Sequence, residues 1–93
     1  MPSQMNQDFY INLFRNIVET NRTSRNTAFA NLQRIRIQIS MTNVGNVVAL
    51  HALNIQERDA IDSFIWERNE YVATKRQLQK LEDEAEEEDE YEE

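Results

Sequence analysis

The sequence predicts a mainly α-helical protein: a small helical hairpin or bundle completed by homodimerisation. Three observations carry that expectation. The 93 residues hold one Gly and one Pro, too little punctuation for many short strands and hairpins. Apolar residues recur at intervals of three and four over residues 8–20 and 55–82, the period of an amphipathic helix. The end of the chain is nearly devoid of apolar side chains, leaving a foldable part of about 80 residues, a size at which one core is marginal. No cysteine is present to staple it, so association with a second copy is the cheapest way to bury more apolar surface.

Residues 1–7 read as a lead-in. From Asp8 onward, Tyr10, Leu13, Phe14 and Ile17 share one helix face, with Ile11, Phe14 and Val18 beside them. Asp8 suits the positive end of a helix dipole. The first helix is expected over about 8–20, with Phe14 and Ile17 in a core or oligomer interface. Residues 19–27 are wholly polar. They form either a loop or a solvated section of a longer helix, because Thr, Ser and Asn favour caps and turns.

Residues 28–40 admit two readings. Ala28, Leu32, Ile35 and Ile39 are spaced as one helix face, yet residues 34–41 alternate polar and apolar as a half-buried strand does. Ile37 decides between them. A helix leaves it exposed; a strand over 34–40 buries it beside Ile35 and Ile39. Residues 42–46 (Thr-Asn-Val-Gly-Asn) are a turn or a helix start, followed by a short apolar helix within 44–53. His51 in that run is a packing or surface residue, since no second His and no Cys exists to complete a metal site.

Asn54-Ile55-Gln56-Glu57 has the form of a capping box and opens a helix expected over 55–82. Along it Ile61, Phe64, Ile65, Arg68, Tyr71, Val72, Lys75 and Leu78 follow a heptad-like spacing. Ile61, Phe64, Ile65, Tyr71, Val72 and Leu78 join Phe14 and Ile17 as the expected oligomer interface. Arg68 and Lys75 on the seam imply a short, imperfect coiled coil. Trp66 falls off the stripe, as a second packing surface or an anchor for a partner.

The net charge of −7 divides unevenly. Residues 1–56 carry five arginines against Asp8 and Glu19, a net +3; residues 57–81 balance at zero. Residues 82–93 hold Glu82, Asp83, Glu84, Glu86, Glu87, Glu88, Asp89, Glu90, Glu92 and Glu93 with no base, a net −10. Such a run is expected to be a disordered, solvated tail. Its functional role would be to engage a basic surface, on a partner or on the chain's own arginine-bearing part.

No Gly-rich phosphate loop, G-x-S-x-G or H-E-x-x-H motif occurs. Glu57, Asp59 and Asp62 are interleaved with Arg58 and read as a solvated face. No catalytic residue, cofactor or metal is expected, and the chain is read as not an enzyme. No apolar run approaches the roughly 18 residues of a membrane span, and the polar N-terminus lacks the features of a signal peptide. A cytoplasmic location is expected, host cytoplasm if the chain is viral.

The order of elements over 34–67 resembles the ribbon-helix-helix DNA-binding fold. Arg-Ile-Arg-Ile-Gln-Ile-Ser (34–40) would be the ribbon, 44–53 the first helix, and 54–61 the turn and the start of the second. The resemblance implies a dimer whose paired ribbons enter the major groove. Arg34, Arg36 and Gln38 would then read bases, Arg on guanine and Gln on adenine. Glu57 and Asp59 depart from it, standing where that family contacts phosphate.

The preferred expectation is a self-associating assembly protein that binds itself and a basic protein surface. The chain resembles small viral or phage accessory proteins in this respect. The alternative is a dimeric DNA-binding regulator whose acidic tail is autoinhibitory.

Overall fold

A computed structural model describes the backbone of residues 2–92 and the side chains of residues 6–87. It contains two helices, α1 (Pro2–Met41) and α2 (Val47–Glu92), joined by residues 42–46 and packed antiparallel along their length. The resulting rod measures 72 × 16 × 15 Å. The mainly helical hairpin is therefore the observed fold.

The helices are held by one stripe of side chains each. In α1 it comprises Ile11, Phe14, Val18, Asn21, Arg25, Ala28, Leu32, Ile35 and Ile39, all buried or half-buried. In α2 it comprises Leu50, Leu53, Glu57, Ala60, Phe64, Glu67, Tyr71, Thr74, Leu78 and Leu81, likewise buried or half-buried. Both stripes alternate steps of three and four without a slip, the heptad repeat of a coiled-coil seam. The tightest packing joins Leu32, Ile35 and Ala60, with Ile39 and Ile61 against them. Small Ala60 opposite two branched or long residues lets the backbones approach closely there.

Several expected boundaries do not exist. Residues 19–27 are not a loop, because α1 passes through them. Several of their polar groups find partners within the hairpin. Thr20 and Thr23 donate hydroxyl hydrogen bonds to the carbonyls of Asn16 and Glu19, at 3.0 Å each. Asn21 Nδ2 donates to Thr74 Oγ1 across the seam at 3.0 Å, and Arg22 pairs with Glu19 at 3.3 Å. The first helix thus extends far beyond 8–20.

Residues 34–40 are helix, and no strand occurs among the described residues. Ile35 is 3% exposed and Ile37 57%, the separation a helix imposes. The alternating pattern lost to the longer heptad run on both sides of it. Serving the last turn, the Ser40 and Thr42 hydroxyls donate to the carbonyls of Ile37 and Gln38, at 2.7 Å each.

The turn at 42–46 forms as expected. Gly45 N donates to Asn43 Oδ1 and Asn46 N to Asn43 O, both at 2.9 Å. Asn46 then caps α2: its Oδ1 accepts from Ala49 N at 3.3 Å and its carbonyl from Leu50 N at 3.1 Å. Asn54, assigned the cap of a separate helix, is instead an exposed interior residue of α2. The expected helices 44–53 and 55–82 are one. The capping-box pattern was satisfied in type, but no chain break accompanies it. The helical backbone of α2 also runs on past residue 82, to Glu92.

Two substitution pairs check this account by urea denaturation. Asn46→Ala is expected to lower stability by about 1 kcal/mol, whereas Asn54→Ala changes it by under about 0.5 kcal/mol, in the stabilising direction. Ile35→Ala is expected to cost about 2–4 kcal/mol and Ile37→Ala no more than about 0.5 kcal/mol. Equal losses at Ile35 and Ile37 would contradict the helical register.

Candidate interaction surface

The seam divides the residues expected at an oligomer interface. Phe14, Phe64, Tyr71 and Leu78 are half-buried within the hairpin itself. Ile17 is half-buried beside Val18, and Ile61 packs on the central cluster. Ile65 and Val72 face outward, 39% and 37% exposed. Phe64, Tyr71 and Leu78 of the expected seam lie on the observed one, and its other members fall one position late. Glu67 and Thr74 occupy the observed seam, while Arg68 and Lys75 are exposed. A second apolar stripe one residue over (Ile61, Ile65, Val72) caused the ambiguity. Trp66, off both stripes, is 62% exposed.

Arg34, Arg36 and Gln38 do not present a common edge. On a helix residues four apart share a side and the residue between points away, so Arg36 diverges from Arg34 and Gln38. Arg34 Nη2 donates to Asn31 Oδ1 at 2.8 Å. Arg36 Nε pairs with Glu57 across the hairpin at 3.2 Å. Of the acidic residues, Glu82 pairs with Arg15 at 3.6 Å and Asp83 accepts from Gln79 at 3.0 Å. Glu84, Glu86 and Glu87 are exposed. The side chains of Glu88, Asp89, Glu90, Glu92 and Glu93 lie outside the described residues.

The seam's flank collects charge on one side of the rod. In α1, Asp8, Arg15, Arg22, Phe29 and Arg36 recur every seven residues; in α2, Ile61, Arg68, Lys75 and Glu82 do the same. Seven-residue spacing holds a helix azimuth nearly constant. Cross-helix contacts show that the two rows border the same groove. Arg15 meets Glu82, Arg36 meets Glu57, and the Phe29 and Phe64 rings lie 5.5 Å apart. Where Arg15, Arg22, Lys75 and Glu82 converge, the groove opens to about 410 Å³ over Val18 and Leu78.

Tyr71 anchors the basic part of this groove. The Arg25 guanidinium lies 4.4 Å from its ring centroid and the Lys75 ammonium 5.7 Å, within range of cation–π attraction. The Arg22 guanidinium at the hydroxyl holds the Tyr71 pKa below its ordinary value; the Lys75, Arg22 and Arg25 charges add to this, and burial opposes it. The sequence reading missed this cluster. Arg22 and Arg25 belong to the wholly polar stretch 19–27, whose local pattern does not show which of its residues face α2. An unbroken heptad carried through residues 19–27 would have placed Arg25 on the seam facing α2.

The groove is open to solvent rather than an enclosed pocket, and among the described residues no set of His, Cys, Asp or Glu is grouped to hold a metal ion. No helix among the described residues is long and apolar enough to cross a membrane. Compared with known proteins, the chain matches no family model, no curated protein and no solved structure.

The electrostatics of Tyr71 can be read by ultraviolet titration. One of the three tyrosines is expected to ionise below the ordinary range. Tyr71→Phe should abolish that early phase, and Arg22→Ala should move it upward. Because the folded pKa is lowered, the associated stability is present above the unfolded value and is lost as pH falls through the folded one. A single coincident titration of all three tyrosines would contradict the cluster.

Proposed function

We propose that this chain is a non-enzymatic assembly protein whose helical hairpin associates with a second copy and whose acidic end engages a basic surface. One observation carries the reading. The hairpin's core is too thin to enclose its apolar residues. Among the described residues only Ile11, Val18, Leu32, Ile35 and Ala60 are buried, and no side chain is fully so, while Phe9, Tyr10, Leu13, Ile37, Ile65, Trp66 and Val72 remain exposed. Two helices can bury only one stripe each. Further helices from another copy would cover more of them, as in a four-helix bundle.

The helical state of residues 34–41 supports this reading over a ribbon-based DNA regulator, which needs a strand there to aim Arg34, Arg36 and Gln38 at bases. Charge segregation supports the second half of the proposal. A strongly acidic end favours rapid encounter with basic surfaces and adds less to final affinity.

Sedimentation equilibrium at micromolar concentration tests the first half. A species of twice the 11.1 kDa chain mass is expected; a monomer throughout would overturn it. Binding to duplex DNA at low salt that is lost on Arg36→Ala would favour the regulator instead.

A further inference from the structure

The groove face carries both signs of charge, sorted along the rod. Asp8 and Glu86 are exposed on it towards one end; Arg22 and Lys75 stand further along. On α2, Lys75 and Glu86 are eleven residues apart. That is about three helical turns, so they share an azimuth and lie about 16 Å apart, too far for a direct contact. On α1, Asp8 and Arg22 are two heptads apart and also share an azimuth, about 21 Å apart. The midpoint of the first pair falls between Lys80 and Leu81, that of the second at Arg15. These two midpoints lie side by side, because Arg15 contacts Glu82 across the hairpin.

Coincident midpoints are what a twofold axis requires. An axis lying in the contact plane, perpendicular to the rod, inverts direction along it while leaving α1 over α1 and α2 over α2. Glu86 then lands on Lys75 of the other copy and Asp8 on its Arg22. We propose that two hairpins dock antiparallel through this groove face, with Glu86 of each chain on Lys75 of the other and Asp8 on Arg22. This specifies the interface of the self-association proposed above and rests on it.

The centre of the contact fits. The groove over Val18 and Leu78 lies within one helical turn of the axis, so its apolar floor is covered by the second copy. Arg15 would meet its own twin there, a repulsion offset by Glu82 already paired with each. Lys75 and Glu86 have no salt-bridge partner among the described residues, so both are available. A parallel arrangement would instead set acid on acid and base on base, which is unfavourable.

Charge reversal at Lys75 and Glu86 tests the pairing, read by the dimer dissociation constant. Lys75→Glu and Glu86→Lys are each expected to weaken the dimer at least about tenfold, because symmetry duplicates the lost contact. The double variant should restore it to near the starting value, since both contacts re-form with sign exchanged. Circular dichroism should show unchanged helix content in all three. A dimer whose affinity ignores the single reversals, or which the double variant fails to restore, overturns this interface and leaves self-association standing. A wild-type chain that is monomeric at every concentration overturns both.

Discussion

The heptad seam between α1 and α2 is the constraint on which the rest of the molecule depends. Each helix contributes one residue every three or four positions, and nothing lies behind that layer. Burial is therefore shallow throughout, deepest where Leu32, Ile35 and Ala60 meet. Many modest contacts along a 72 Å rod replace a central core. Each position contributes through dispersion and partial desolvation, so continuity of the seam matters more than any one residue in it.

Polar seam residues fix how the helices align. On the seam, Asn21, Arg25 and Glu57 each have one matching partner across the hairpin: Thr74, the Tyr71 ring and the flanking Arg36. A slip by one heptad would leave these groups half-buried without partners, at a cost that apolar residues would not incur. Polar seam positions in coiled coils specify register in the same way, at some expense of stability. The arrangement also brings Arg22, Arg25 and Lys75 together around one ring, so the feature that sets the register also builds the basic part of the groove.

The helical class, the turn at 42–46 and the decisive position of Ile37 were legible in the sequence, because each depends on local spacing or turn chemistry. The continuity of the helices was not. Thr20, Thr23 and Asn54 favour helix ends by propensity, yet tertiary pairing and back-bonding to carbonyls override propensity here. The one-residue error in phasing α2 has a similar cause. Ile65 and Val72 resemble seam residues more than Glu67 and Thr74 do, and the choice is made by α1. Of the groove, the outward stripe and Lys75 could be seen in one helix alone. The Tyr71 cluster could not, since its partners come from the other helix, in the register where Asn21 and Thr74 pair across 53 residues.

Backbone chemical shifts with amide exchange, followed along residues 19–27 and 50–57, test the unbroken seam most directly. Continuous helical shifts, with protection similar to that of flanking turns, are predicted in both stretches. Coil-like shifts and fast exchange in residues 19–27, or a helix break at Asn54, would contradict it.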